Sequence, residues 1–328
     1  MKKKIMALLA TLGMAASAGA IDVNENLSIN GFVDASYNRT ETDNAGESQS
    51  LGLDEVEVNF LFNAGGVSGE LHVDNTAGAG DNVNDDDNDE EFSIEQAFMS
   101  YTLENGLGIQ IGRYGSALGL ERQDATYLNT FSRAYENGSG FNLGNVDEYT
   151  TAAGHIAVFE GIALTYGSDT VAIRASFQNA VLQSDNLETN DLDLELHVAY
   201  TGIENLNLGL GARFDNGATA AAETDIVNLT AVYTAGTTAV GFEYTTQDTA
   251  GASEIDGYVV HVDYGVNANL GVALRYSTHE QAAGDYDKIT IAPNYQITES
   301  LFGILEYSDI DDAGVDSDLI ALELTLTF

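Results

Sequence analysis

The side chains able to do chemistry in this sequence are mostly carboxylates. Of 328 residues, 52 are Asp or Glu and only 11 are Lys or Arg, with five His and no Cys. Nucleophilic catalysis needs a base within hydrogen-bond reach of a hydroxyl or thiol. His72, His155, His197, His261 and His279 are dispersed along the chain, and neither G-x-S-x-G nor H-E-x-x-H occurs. Gly209 and Gly211 fall inside an alternating segment and open no nucleotide loop. No catalytic residue and no cofactor are therefore expected. Asp85, Asp87 and Asp89 have the spacing of the first EF-hand ligands, but Glu90 stands where the turn Gly belongs. A solvated acidic loop is the plainer reading, and no metal site is expected. The acidity also excludes a nucleic-acid partner, because nothing could neutralise phosphates.

The elements that must carry these charges repeat with period two. Leu192, Leu194, Leu196, Val198 and Tyr200 alternate with Asp193, Glu195, His197 and Ala199. One face is apolar and the other polar, the mark of a strand between two environments. Sixteen such segments run from 27–38 to 318–328, separated alternately by short turns and longer connections. Among the longer ones are 39–51, 75–91, 115–155 and 179–190. The pattern predicts an all-β fold, a 16-stranded antiparallel up-and-down transmembrane β-barrel over residues 21–328. Tyr101, Tyr166, Tyr200, Tyr233, Tyr264 and Tyr295 precede short turns, while Tyr37, Phe177, Phe214, Tyr244, Tyr276 and Tyr307 precede long connections. Two aromatic girdles at the membrane–water boundaries account for that placement. Glu95, Arg113 and Glu160 break the alternation by falling on the apolar parity, so either the strand stops short or a bulge shifts it.

Residues 1–20 read as a cleaved signal peptide: Lys2, Lys3 and Lys4, then an apolar run, then Ala18-Gly19-Ala20. The mature chain would carry 8 basic against 52 acidic residues, a formal charge of −44. It holds no later apolar run long enough for a membrane helix, so insertion would be as a barrel.

Several short motifs resemble known families. Gln96-Ala97-Phe98-Met99-Ser100-Tyr101, Gly112-Arg113-Tyr114, Leu118-Gly119-Leu120-Glu121 and Phe131-Ser132-Arg133-Ala134-Tyr135 are similar to the beta-barrel porin-2 family and to general Gram-negative porins. The opening Gly31 to Tyr37 is similar too, most of the likeness lying in the first half of the chain. The terminal run Leu319 to Phe328 resembles the last strand of outer-membrane barrels, in which a final Phe is the signal read by the barrel-assembly machinery. The resemblance implies the outer membrane, contact with the lipid bilayer and lipopolysaccharide, a possible homotrimer, and a water-filled channel for passive diffusion of small hydrophilic solutes and ions. It also implies that the long loop 115–155 folds into the lumen, with Glu121, Arg122, Asp124, Arg133 and Glu136 as constriction candidates. A structural or adhesive barrel without significant conductance is the alternative.

By parity the lumen receives the acids Asp34, Glu57, Glu70, Asp74, Asp193, Glu195, Glu243, Asp263, Glu306 and Glu323. Against them stand Arg174, Arg213, Arg275 and Lys288. Acidic rings favour cations in a pore, so a cation preference is expected. Phe328 is the expected assembly signal.

Overall fold

The computed structural model describes residues 20–76, 92–121, 124–135, 158–179, 192–215, 223–251, 254–280 and 284–328. Arg122, Glu136, His155, the Asp85–Asp89 run and most of 1–20, all singled out in the sequence, lie outside them. Among the described residues the chain forms β1 (Ile21–Asn24), β2 (Leu27–Thr42), β3 (Gly46–Ala64), β4 (Val67–Thr76), β5 (Ser93–Thr102) and β6 (Leu107–Gly115). There follow β7 (Val158–Gly167), β8 (Val171–Asn179), β9 (Leu192–Ile203), β10 (Leu206–Phe214), β11 (Thr224–Ala235) and β12 (Thr238–Thr249). The last are β13 (Ile255–Gly265), β14 (Leu270–His279), β15 (Tyr286–Gln296), β16 (Leu301–Asp312) and β17 (Val315–Thr327). A single turn of 3₁₀-helix, Ala125–Tyr127, interrupts the connection after β6.

Strands β2 to β17 each pair antiparallel with their chain neighbours, and β17 returns to β2, from Ser317 opposite Thr42 to Thr327 opposite Phe32. The result is a closed barrel of sixteen strands. Closure matters because an open edge leaves backbone groups that hydrocarbon cannot satisfy. β1 pairs with the start of β2, Ile21 opposite Ile29, and takes up the edge where β17 ends. At that seam Gly31 and Phe328 exchange two backbone hydrogen bonds of 3.1 Å. A Cβ on Gly31 would meet the Phe328 ring at 2.7 Å and the Glu57 carbonyl oxygen at 2.2 Å, so only glycine lets the last residue lie there.

Alternation decides which face is enclosed. Along β17, Ile320, Leu322, Leu324 and Leu326 are exposed, while Ala321, Glu323 and Thr325 are buried. The same holds from strand to strand, so the outer surface is a continuous apolar belt. Soluble proteins rarely expose contiguous apolar patches beyond a few hundred Å²; a bilayer is the solvent that fits this one. The girdle residues Phe62, Tyr101, Tyr233, Tyr264 and Tyr295 are exposed at the short-turn end. At the other end three rim tyrosines reach an acid on the next strand: Tyr244 donates to Asp256 at 2.7 Å, and Tyr276 to Asp287 and Tyr307 to Asp318 at 2.5 Å, while Tyr37 donates to Gln49 at 3.2 Å.

The structure alters three local expectations. Residues 39–51 and 309–317 are largely strand, and the hairpins turn tightly at positive-φ Asn44 and Ala313. Beyond the bilayer neither face need be apolar, so the alternation that marks a strand disappears while the hydrogen-bond ladder continues. At Glu95 a bulge is present: Gln96 pairs with His72 and Ile94 with Val73, which turns the extra residue, Glu95, into the barrel. Arg113 and Glu160 have neither explanation. Both lie within their strands, in unbroken register, directly opposite each other near the end of the β6–β7 ladder. An opposite-charge cross-strand pair at a rim is mildly favourable, and a charge close to the interface costs little.

Candidate functional site

The fourteen parity-selected charges are all buried or partly buried. Asp34, Glu57, Asp74, Asp193, Glu195, Arg213, Glu243, Arg275, Lys288, Glu306 and Glu323 are buried, and Glu70, Arg174 and Asp263 are partly so. They do not form one uniform lining. The segment after β6 divides them.

The described residues of the segment, 116–121 and 124–135, hydrogen-bond at several points to side chains of the enclosed face. Glu195 on β9 accepts from the Ser116 hydroxyl at 2.7 Å and from the Ala117 N–H at 2.9 Å. Asn228 on β11 accepts from the Gly119 N–H at 3.2 Å, and Glu243 on β12 from the Leu120 N–H at 2.8 Å. Asp263 on β13 accepts from Asn129 at 3.0 Å. Glu306 on β16 accepts from the Ser132 N–H at 3.1 Å and from its hydroxyl. A segment without a strand partner must satisfy its backbone groups somewhere, and here carboxylates supply the acceptors. Charge-assisted bonds of this kind are about twice as strong as neutral ones.

Cations serve the segment's carbonyls in the same way. Arg275 on β14 donates to Glu121 Oε1 at 2.5 Å, to Thr130 Oγ1 at 2.8 Å, to the Arg133 carbonyl at 2.7 Å and to Ser132 Oγ at 3.1 Å. Lys288 on β15 reaches Ser132 Oγ at 2.6 Å and the same Arg133 carbonyl at 3.0 Å. Arg174 donates to the Gly115 carbonyl at 3.1 Å and stacks 4.6 Å above the Tyr114 ring. Burial alone would raise the Glu121 carboxyl, but the Arg275 guanidinium and then the Ala134 N–H hold it below its usual value. Burial, and after it the charges of Glu243 and Glu121, raise the Tyr135 hydroxyl, which stays neutral.

Apolar contacts fix the two ends of the segment. Leu118 is buried against Ile226 and lies over Gly211, where a Cβ would stand 2.1 Å from Leu118 Cδ2. Ala134 and Tyr135 pack with Val259, Tyr286, Ile310 and Leu319. His279 stacks on Tyr286 at 5.0 Å and meets Tyr135 edge-on.

Of the five constriction candidates, Glu121 is held by Arg275, and Asp124 precedes the 3₁₀ turn, its carbonyl accepting from the Tyr127 N–H at 3.0 Å. Arg133 lies close enough to Asp34 and Glu323 for its charge to act on both. The sequence reading did not single out Ser116, Leu118, Thr130 or Ser132. A run of small and hydroxyl residues in a loop carries no periodic signal, although Leu118 and Ser132 fall within the family-like motifs.

The acids of the opposite wall are arranged differently. Asp34, Glu57, Glu70, Asp74, Glu95 and Glu323 sit on β2 to β5 and β17. Glu57 faces Asp74 across the β3–β4 ladder. Arg213, on the segment's own side, pairs with Asp193 at 3.1 Å and stacks 4.7 Å over Phe159.

A closed sixteen-stranded barrel with an apolar belt outside and charged, water-compatible groups inside defines an outer-membrane channel protein. The chain belongs to the Gram-negative porin family, whose pattern it matches over residues 6–313. No curated protein matches the sequence significantly. Its fold is similar to that of the outer membrane channel DcaP of Acinetobacter baumannii, with 14% identity, a TM-score of 0.66 and coverage of 96% of this chain and 99% of that one. It is similar to the anion-selective porin from Comamonas acidovorans, at 15% identity, TM-score 0.63 and coverage of 92% and 99%. The trimer form of OmpT from Vibrio cholerae matches at 13% identity, TM-score 0.60 and coverage of 93% and 100%.

Proposed function

We propose that this outer-membrane porin passes small hydrophilic solutes and ions by passive diffusion, prefers cations, and is narrowed by the segment following β6. The observation that carries the reading is the division of charge just described. The segment engages Glu195, Glu243, Asp263 and Glu306, and also Arg275, Lys288 and Arg174. Arg275 and Lys288 are thus turned toward a segment carbonyl, Arg174 toward that of Gly115 at the end of β6, and Arg213 is paired with Asp193. Asp34, Glu57, Glu70, Asp74, Glu95 and Glu323 stand on the other wall, where Arg133 acts on Asp34 and Glu323 and His72 lies among Glu57, Glu70 and Glu95. Acids facing a narrow aqueous path favour cations. Fold alone does not set the sign of selectivity, since the similar Comamonas acidovorans protein is described as anion-selective. The side chains decide it.

Further parts of the reading rest on the sequence. Residues 1–20 act as the cleaved signal peptide, and Phe328 as the mark read by the barrel-assembly machinery. The lipid bilayer and lipopolysaccharide are the surroundings that the resemblance implies. A homotrimer fits the family, and the trimer form of the Vibrio cholerae protein is one precedent. No chemistry beyond diffusion is assigned to the barrel.

The test is a reversal potential across a salt gradient in planar bilayers. A cation-selective potential at low salt is expected to weaken as salt rises, because the screening length falls from about 10 Å at 0.1 M to about 3 Å at 1 M. An anion-selective potential would mean that Arg133 and its neighbours outweigh the acids. Absence of any channel would favour the structural or adhesive barrel instead.

A further inference from the structure

The bulge at Glu95 assembles a group of side chains that diffusion does not require. Glu57 on β3, His72 on β4 and Glu95 on β5 converge on the enclosed face, and one ligand-capable atom from each lies within 4.8 Å of the others. His72 Nδ1 stands 3.4 Å from Glu57 Oε1 and 3.7 Å from Glu95 Oε2. The Glu57 side chain is wholly buried and that of Glu95 is 4% exposed. Among the described residues, neither oxygen of either carboxylate makes a well-formed hydrogen bond, nor does His72 Nδ1, and that imidazole is the group within ion-pair reach of both. A buried carboxylate without a partner is costly, and the usual remedies are pairing, protonation or a metal ion.

The other imidazole nitrogen supplies the second clue. His72 Nε2 lies 3.1 Å from Glu70 Oε2. If Nε2 carries the proton and donates it to Glu70, Nδ1 presents a lone pair to Glu57 and Glu95. Metal-bound histidines nearly always have their far nitrogen oriented in this way by a carboxylate or carbonyl. Separations of 3.4 and 3.7 Å fit ligands about 2.0–2.2 Å from one zinc ion in a widened tetrahedron. Two carboxylates and one imidazole are a borderline donor set, suited to zinc-like transition metals rather than to calcium or magnesium, which take oxygen ligands.

We propose that Glu57, His72 and Glu95 bind one divalent transition-metal ion of the zinc class, with Glu70 orienting the imidazole and water completing the coordination. The ion ties β3, β4 and β5 together across the bulge, and its charge offsets the buried carboxylates. The assignment shares Glu57, Glu70 and Glu95 with the cation-preference reading, so a bound ion would lower the negative charge of that wall; the metal titration reads the site without reference to conductance, and its failure would leave the diffusion reading standing.

The experiment uses the full chain folded in detergent, stripped with a chelator and titrated with Zn²⁺ by calorimetry, with bound metal counted by elemental analysis. Millimolar Mg²⁺ occupies the exposed acidic groups throughout. One tight Zn²⁺ per chain is expected, lost in His72→Gln and Glu95→Gln, and weakened about 10–100-fold in Glu70→Gln. Should a variant fail to fold, Co²⁺ loading of the wild-type protein gives a second readout. A single paramagnetically shifted, solvent-exchangeable imidazole N–H is expected from the one histidine ligand. Absence of that proton signal, wild-type protein that binds no Zn²⁺ above Mg²⁺, or variants that retain the wild-type stoichiometry and affinity would each overturn the site. The cluster would then be a protonated imidazole held among glutamates.

Discussion

Arg275→Ala is the substitution that most directly tests whether the segment after β6 narrows the channel. The Arg275 side chain is fully buried and makes four contacts of 2.5–3.1 Å to Glu121, Thr130, Ser132 and the Arg133 carbonyl. Removing one partner of a buried ion pair costs about 3–5 kcal/mol, because the other charge is left stranded. At about 1.4 kcal/mol per tenfold, the ratio of docked to undocked segment falls by roughly two to three and a half decades. The anchors at Glu195, Glu243, Asp263 and Glu306 persist, each charged hydrogen bond contributing about 1.5–3 kcal/mol. The segment therefore stays mainly docked, and the expected result is brief excursions to higher conductance rather than a permanently wider channel. Arg275→Lys keeps the charge but loses the forked contacts, and should lie between wild type and alanine. The assay is single-channel recording in planar bilayers, with folding checked by heat-modifiable gel mobility. The pH dependence supplies a second arm. Because Arg275 holds Glu121 below its usual value, the stabilisation it gives is present above the ordinary carboxylate range. It is lost only as pH falls through the depressed value. Wild-type current should thus be steady at neutral and mildly acid pH and become unsteady below the ordinary Glu range. Correctly folded Arg275→Ala with unchanged current and noise would refute the reasoning.

Other outcomes follow from the same contacts. Deleting residues 122–140 should raise single-channel conductance, and no change would place the segment outside the conducting path. Gly211→Phe forces atoms into the space held by Leu118 Cδ2; overpacking of this kind costs about 1–3 kcal/mol, and noisier current is expected with little change in barrel thermal stability. Phe328→Ala removes the ring lying on Gly31 and should lower the unfolding temperature and the yield of assembled barrel; equal assembly rates would remove Phe328 as a signal. Burial, and next the Asp193 charge, raise the Asp215 carboxyl to about 6. A raised acid favours folding at low pH and loses that contribution as pH rises through about 6. Asp215→Asn should therefore flatten the pH dependence of thermal unfolding near pH 6.

Much of the barrel was legible in the chain because the bilayer enforces a strict rule. Each strand needs one apolar and one polar face, and period two writes that rule directly into the sequence, as at Leu192 to Tyr200. The rule stops at the membrane boundary. The outer halves of the β2–β3 and β16–β17 hairpins, polar on both faces, consequently looked like loops. Parity also picked out charges that the structure shows buried or partly buried, since a residue's neighbours along the strand fix its side. It failed at Glu95, where one inserted residue reverses the side. That failure hid the convergence of Glu57, His72 and Glu95, which needs three strands in one particular register. Only the tertiary structure decided what each enclosed charge faces. Glu195 and Glu243 look like lining acids in the sequence, yet they accept hydrogen bonds from the backbone of a segment roughly eighty to one hundred and twenty residues distant. Periodicity records which side a residue is on, a local property. Hydrogen bonding between a loop and a distant wall depends on where the closed sheet brings that wall, and no local pattern encodes it.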